Sequence, residues 1–126
     1  MPTVLCLDDF TSGLAHAVQV LRHNGYRVLA VADNAAAVEV AAETSLDAVL
    51  FNCQRDRDNS GLVTALRILQ PHVAVVMFSG YCGVPCHQLQ LADACLQKGV
   101  TAARLLPLLR AVLCRNRYGL CRSVAA

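Results

Sequence analysis

The sequence predicts one α/β domain, in which five parallel strands form a sheet covered by helices on both faces. Short runs that are apolar throughout, such as VAVVMF at residues 73–78, alternate along the chain with stretches of helical periodicity. Strands without polar alternation are typical of parallel sheets that are buried on both sides. The 126 residues suffice for one domain with a real core, and a composition of 56% hydrophobic and 16% charged residues excludes a disordered chain.

The first half of the chain is expected to alternate three strands with two helices. The strands are predicted at residues 3–7, 26–32 and 47–52. The first helix has apolar residues at the i, i+3, i+4 and i+7 positions, namely Leu14, Ala17, Val18 and Leu21. Thr11 or Ser12 can cap its start, and Gly25 supplies the left-handed residue that ends it.

The remaining elements follow the same alternation. Asp33 or Asn34 caps an alanine-rich second helix that runs to about Glu43. The third helix ends before Pro71, and its apolar stripe is predicted to be Leu62, Ala65, Leu66 and Leu69. Two further strands are expected at residues 72–79 and 92–97. Pro107 lies within the final helix and is expected to bend it or to shorten its first turns.

Composition limits the cellular setting. The chain begins without a basic segment followed by an apolar stretch, and its apolar runs are too short to span a bilayer, so a cytoplasmic protein without membrane contact is expected. Seven cysteines without a disulfide spacing favour reduced thiols, three of which fall in or beside apolar strands: Cys6, Cys53 and Cys95. Cys82, Cys86 and His87 could begin a metal site, but no second ligand pair accompanies them and loop chemistry is favoured.

Charge is distributed unevenly. The net charge of +2 is too small to imply nucleic acid, and Tyr118 is the only aromatic residue among the C-terminal basic ones. Five arginines lie in the last quarter of the chain: Arg104, Arg110, Arg115, Arg117 and Arg122. A solvated helix face is the commoner explanation, and a basic helix that meets an acidic partner or phosphates is the alternative.

Polar residues collect where the predicted strands end. These residues are Asp8 and Asp9 after the first strand, Asn52 at the third, Ser79 and Gly80 at the fourth, and Gln97 and Lys98 at the fifth. In an open parallel sheet, ligands bind at the carboxyl ends of the strands, so these groups are expected to share one rim. Lys98 is the only lysine in the chain.

The motifs LDD, FSG and LQKG, in this order and with Asn52 between the first two, resemble the receiver domain of two-component response regulators over residues 3 to about 114. The resemblance implies a three-layer, flavodoxin-like (βα)5 fold with strand order 2-1-3-4-5. It also implies that Asp8 and Asp9 match the pair that holds Mg²⁺, while Ser79 and Lys98 match the groups that read out the phosphate. In the family, an aspartate at the position of Asn52 accepts that phosphoryl group from a histidine kinase.

Several positions depart from the family pattern. Arg55 and Asp56 stand where a Met-Pro pair is usual, Gly61 comes one residue late, Gly99 replaces a proline, and Cys95 takes the place of the aromatic switch residue. The stretch between Ser79 and Lys98 is short and contains two glycines and a proline, so the fourth helix of the family is expected to be shortened or lost. These changes together predict a divergent natural receiver.

The amide at position 52 changes the chemistry. Phosphoryl transfer needs an anionic oxygen as nucleophile, so Asn52 is not expected to be phosphorylated. Asp8, Asp9 and an amide carbonyl offer Mg²⁺ one charge fewer than three carboxylates do, which predicts a weak or unfilled site and no required cofactor. We hypothesise that Lys98 pairs with Asp8 or Asp9 instead.

The functional expectation is a stand-alone signalling domain, not an enzyme. Residues 1–117 would form the receiver-like domain and residues 118–126 a short tail, with no effector domain. Its output would be contact with a histidine kinase or a downstream target, or a homodimer through the C-terminal helix region. The alternative is a working phosphorelay receiver with a displaced acceptor, Asp56 or Asp58. An enzyme is not favoured, because no activated nucleophile, glycine-rich phosphate loop or base–orienter pair is present.

Overall fold

The structure, a computed structural model, describes residues 1–7, 15–53, 60–79, 92–97 and 102–117. Within these ranges the chain forms five strands and four helices. The strands are β1 (Thr3–Leu7), β2 (Arg27–Val31), β3 (Ala48–Cys53), β4 (Ala74–Ser79) and β5 (Ala94–Gln97). The helices are α1 (Ala15–His23), α2 (Asn34–Glu43), α3 (Ser60–Leu69) and α4 (Ala102–Arg117).

All five strands are parallel and pair in the order β2-β1-β3-β4-β5. The predicted parallel sheet and its flavodoxin-like strand order are therefore confirmed. β3 lies at the centre of the sheet, between β1 and β4, and β2 and β5 form its edges. Each crossover carries the chain back to the amino end of the sheet, so all strands end at the same edge.

Two apolar layers bury the sheet. In β1, Val4 and Cys6 pack with α1 and α4, whereas Leu5 and Leu7 pack with α2 and α3. Because successive strand residues face opposite sides, a strand that is covered on both sides must be apolar throughout. The α1–α4 layer is anchored by Leu21, Leu105 and Leu109, and the α2–α3 layer by Phe51 and Leu66.

The predicted ends of the first two helices are present. After α1, the chain turns at Gly25, whose φ of 86° is in the left-handed region that glycine adopts without strain. The N–H of Tyr26 donates to the carbonyl oxygen of Leu21 across this turn. At the start of α2, the Asp33 carboxylate accepts a hydrogen bond from the N–H of Ala36 at 2.8 Å and caps the helix.

One expectation about the helices is wrong, and one of two alternatives for Pro107 is excluded. Leu69 was expected on the buried stripe of α3, but it is 42% exposed, and the buried residues are Leu62, Val63 and Leu66. Leu69 is the last residue of α3 and lies beyond Leu66, the last buried residue of the helix. Pro107 does not shorten the first turns of α4, because the helix begins at Ala102 and continues through the proline, which is exposed to solvent. The other expected effect of Pro107, a bend in the helix, stays a prediction.

Other expectations fall on residues outside the described ranges. These are the caps at Thr11, Ser12 and Thr101, the apolar Leu14, the shortened fourth helix of the family within residues 80–91, and the tail at residues 118–126. Four helices in the described part fit a shortened fourth helix. No helix in that part is both long and apolar enough to cross a bilayer.

Gln70 joins three segments at the amino edge of the sheet. Its side-chain oxygen accepts a hydrogen bond from the N–H of Leu46, which leads into β3. Its side-chain nitrogen donates to the carbonyl oxygens of Ala41 and Thr44 at the end of α2, and the distance to the Ala41 oxygen is 2.8 Å. The Gln70 amide therefore bonds to carbonyl oxygens that have no partner within α2, and it holds the end of α3 against the α2–β3 connection.

A buried ion pair joins α3 to the start of β5. The Asp93 carboxylate is 1% exposed and accepts a hydrogen bond from Nη2 of Arg67 at 3.1 Å and another from the N–H of Val75 at 2.7 Å. The N–H of Asp93 donates to the carbonyl oxygen of Val75, which extends the ladder between β4 and β5. Oδ1 of Asp93 and Nε of Arg67 have no hydrogen-bond partner among the described residues, so the pair meets through one oxygen only.

Replacing Gln70 with alanine is expected to lower the free energy of unfolding by roughly 1–3 kcal/mol, because three backbone groups lose their partner. Gln70→Glu keeps the acceptor for Leu46 but loses both donors, and should be no more stable than Gln70→Ala. Urea unfolding followed by circular dichroism measures both changes. The matched control is Gln19→Ala on the exposed face of α1, which should stay within about 0.5 kcal/mol of the native protein.

Arg67→Met is expected to cost roughly 3 kcal/mol, because it leaves a carboxylate that is almost fully buried without its counter-ion. Asp93→Asn should cost less, roughly 1–2 kcal/mol, since Arg67 is 26% exposed and can reach water when its partner is neutral. The double variant should cost less than the sum of the two. A larger loss for Asp93→Asn than for Arg67→Met in the same urea titrations would contradict this account.

Candidate functional site

The predicted site lies at the edge where the parallel strands end. Asn52 of β3 is the register partner of Phe78, and the next residue, Cys53, is the partner of Ser79. Ser79 in turn is the register partner of Gln97 at the end of β5. The backbone therefore brings the ends of three adjacent strands to one edge, as the sequence predicted.

Burial explains why Asn52 is at this edge. Four consecutive residues of β3, from Ala48 to Phe51, are at most 1% exposed and are held between β1 and β4. Asn52 is the first polar residue that follows them. A strand that is buried on both faces thus fixes the backbone of position 52, and any chemistry at that position starts from an amide.

The described residues include only part of the expected site. Asp8, Asp9 and Lys98 lie outside them, although Asp8 directly follows Leu7, the register partner of Phe51, and Lys98 directly follows Gln97. For Asn52 and Ser79 the structure gives the backbone position in the sheet. The roles assigned to these five residues therefore stay predictions.

Other sequence candidates fall outside the described ranges as well. These are the displaced acceptors Asp56 and Asp58 and the cluster of Cys82, Cys86 and His87. Within the described ranges, His, Cys, Asp and Glu side chains do not gather in groups of three or more that could hold a metal ion.

Cys95 occupies the middle of the edge strand β5. It is the register partner of Met77, and it is half-buried against the α2–α3 layer. A family member would have an aromatic ring at this point, three residues before the lysine. A thiol fills far less volume than a ring and has no hydroxyl tip, so this side chain cannot reproduce the inward and outward states of a large aromatic switch.

Sequence reasoning missed the groups that hold β5 in place. The sequence places Asp93 in a predicted strand without indicating a role for it, and it gives no reason to select Arg67 as its partner. The signal available was an acid directly before a buried strand, since such a charge needs a partner. The partner is 26 residues earlier in the chain, and only the packing of α3 on the sheet brings the two together.

A groove of about 630 Å³ lies at the opposite, amino edge of the sheet. Its walls come from the end of α2, the end of α3 and Leu113 of α4, and they include Gln70. Since all strands are parallel, this groove is separated from the carboxyl edge by the length of the sheet. It therefore contributes nothing to the predicted site.

No protein-family model matches the sequence. The chain is 33% identical over 119 residues to the transcriptional regulatory protein PrrA of Mycobacterium leprae (strain TN), and 32% identical to the protein of the same name from Mycobacterium tuberculosis (strain H37Rv). Each alignment covers 91% of this chain and 51% of the relative. The chain thus spans about half the length of the curated relatives it matches.

Solved structures agree on the fold. A CheY-like response regulator receiver domain protein from Methanospirillum hungatei has a TM-score of 0.80 at 22% identity, over 94% of this chain and 98% of that one. The receiver domain of the sensor histidine kinase PA1611 from Pseudomonas aeruginosa, with a magnesium ion coordinated in its active site cleft, has a TM-score of 0.76 at 24% identity, over 89% and 97%.

At these identities the structural likeness establishes the fold. The similarity to the PrrA proteins runs through nearly the whole chain. The chain is thus similar in sequence to these transcriptional regulators and has the fold of the receiver domains it resembles.

Proposed function

We propose that this chain is a receiver domain of two-component signalling that is not phosphorylated at the usual position and acts by contact with other proteins. The observation that carries the proposal is Asn52 at the end of the central strand, where the family has its phosphoacceptor aspartate. The fold and the similarity to PrrA support the signalling class, and the residue at position 52 supports the loss of its chemistry.

The loss follows from the nucleophile. A carboxylate oxygen carries negative charge and forms an acyl phosphate when it attacks a phosphoryl group. The oxygen of a neutral amide is a much poorer nucleophile and cannot give that product. Because β3 is buried on both faces, its register cannot slip by one residue to offer another side chain at this point.

Mg²⁺ would be held by Asp8 and Asp9 together with the amide oxygen of Asn52. All three groups are hard oxygen donors, which suits the ion, but the set carries one negative charge fewer than the three carboxylates of the family. We expect binding that is weak and is not required for function. In a receiver with an aspartate at position 52, the ion would supply charge neutralisation for the incoming phosphoryl group.

Lys98 would then take a new counter-ion. We propose that it pairs with Asp8 or Asp9 and so keeps the carboxyl edge in one conformation. In the family, phosphate draws the hydroxyl and the lysine inward and shifts the neighbouring surface. With an amide at position 52 and a thiol at Cys95, both the chemical input and the aromatic part of the response would be absent.

The output would be a surface that is presented permanently to a histidine kinase or a downstream protein. A homodimer through the C-terminal helix region is a second form of such contact. The expectation that a shortened fourth helix uncovers apolar area for it concerns residues 80–91, which lie outside the described ranges.

A displaced acceptor, Asp56 or Asp58, is the competing function. Its phosphorylation would require either carboxylate to come within hydrogen-bonding range of the metal site and Lys98. Both residues lie outside the described ranges, so the choice rests on experiment.

Incubation of the native protein with Mg²⁺ and acetyl phosphate is expected to leave its intact mass unchanged, because no anionic oxygen is present at position 52. The same treatment of Asn52→Asp is expected to add one phosphoryl group that is lost under alkaline conditions, as acyl phosphates are. The matched control is Asn34→Asp at the exposed start of α2, which makes the same chemical change away from the strand ends.

A phosphoryl adduct on the native chain would contradict the proposal. Peptide mapping would then locate it, and a site at Asp56 or Asp58 would establish the displaced acceptor. Absence of an adduct on both the native protein and Asn52→Asp would show that the site has lost the reaction through other changes too, and the proposal would stand.

A further inference from the structure

Helices α1 and α4, which cover one side of the sheet, contain basic residues and no acidic ones. Neither Ala15–His23 nor Ala102–Arg117 includes an aspartate or a glutamate. The exposed basic residues of these helices are His16, Arg22, His23, Arg104 and Arg110. The acidic residues of the described part lie elsewhere, at Asp33, Glu39, Glu43, Asp47 and Asp93. The two sides of the sheet therefore differ in charge.

Helix electrostatics account for part of this pattern. Arg22 and His23 occupy the last turn of α1, where the partial negative charge of the helix end favours cations. Arg115 lies in the last turn of α4 and is explained in the same way. These residues stabilise their own helices, so no partner is needed to explain their presence.

Arg104 and Arg110 are not explained by the stability of α4. Arg104 lies in the first turn of α4, where the helix dipole is positive and a cation is unfavourable, and that turn contains no acid. Arg110 is in the middle of the helix and has no acidic neighbour at three or four residues' distance. Both side chains are exposed, and neither makes an ion pair with another described residue.

The exposed face between these arginines consists of short side chains. Its other members are small or lack a long side chain: Ala103, Pro107, Ala111 and Cys114. They recur at the three- and four-residue spacing of one helix face. Such a strip lets the backbone of a second helix approach closely, at the 8–10 Å separation of packed helices.

We propose that this face of α4 is the docking surface for an acidic helix of a partner protein. Arg104 and Arg110 are six residues apart, or about 9 Å along the helix axis. A partner helix lying along the strip would meet them with carboxylates two turns apart, at i and i+7. The inference deepens the proposed function, since it rests on an output by protein contact and names the surface and the partner's chemistry.

Two other occupants fit less well. A symmetric pairing of this face with a second copy would place Arg104 and Arg110 against the same residues of the other chain, and like charges repel. Nucleic acid is bound by grooves that combine dense positive charge with stacking aromatic side chains, and α1 and α4 contain no aromatic residue.

Fluorescence anisotropy with a labelled, alanine-rich helical peptide that carries glutamates at i and i+7 tests the proposal at low salt. The native protein is expected to bind this peptide about ten-fold more tightly than a peptide with glutamine at the same positions. Arg110→Glu should weaken binding of the acidic peptide by about ten-fold, because it replaces an attraction with a repulsion. Arg104→Glu should do the same, and circular dichroism will show that both variants remain folded.

The matched control is Arg27→Glu. Arg27 is an exposed arginine at the start of β2, where it faces the α2–α3 side, so the substitution changes the net charge equally and leaves the proposed surface intact. It should alter binding by less than about two-fold. An equal loss in Arg27→Glu would show a general charge effect and overturn the proposal. So would equal binding of the two peptides, or tighter binding of a short DNA duplex than of the acidic peptide.

A further pair of measurements separates this inference from the proposed function. The anisotropy titration is repeated after treatment with Mg²⁺ and acetyl phosphate, and the intact mass is recorded in parallel. A phosphoryl adduct with unchanged peptide binding would end the silent-receiver proposal and keep the docking surface. No adduct and no preference for the acidic peptide would end the docking surface and keep the silent receiver.

Discussion

Burial of both faces of the central sheet is the constraint on which the rest of the structure depends. Strand residues from Val4 to Leu7 and from Ala48 to Phe51 have almost no access to solvent, so no polar group can be placed along them without a partner. Polar residues are confined to the strand ends, and parallel pairing brings those ends to one edge. The edge at which the site is predicted is therefore a consequence of the core.

The same constraint explains which features could be predicted from the sequence. Continuous apolar runs identified the strands, and Gly25 and Asp33 marked a helix end and a helix start, because each of these signals is local. The strand order came from the resemblance to receiver domains, since periodicity alone does not say which strands are neighbours. The burial of Leu69 was misjudged because this residue continues an apolar stripe in the sequence while the helix itself stops there.

The long-range polar contacts could not be predicted from the sequence, for a physical reason. Gln70 bonds to groups 24 to 29 residues away, and Asp93 meets Arg67 across the packing of α3 on the sheet. Neither glutamine nor aspartate signals its partner locally. Asp47 behaves in the same way, since its carboxylate accepts from the N–H of Thr3 and its carbonyl oxygen from the N–H of Ala74. These contacts fix the amino edge of the sheet, opposite the edge where the site is predicted.

Under the proposed function, a receiver without its acceptor would still use its outer surface to bind a partner. In a switching receiver, the surface must be stable in two arrangements, and charges that favour one of them would disturb the balance. A receiver that holds one conformation is released from this requirement, and its surface can be specialised for a single partner. Arg104, in a helix turn that disfavours a cation, is the kind of residue such specialisation would retain, because its benefit is gained in a complex and its cost is borne by the free domain. Under the proposed function, the amide at position 52 and the acid-free face of α4 would be two consequences of one change, from a domain that responds to a domain that binds.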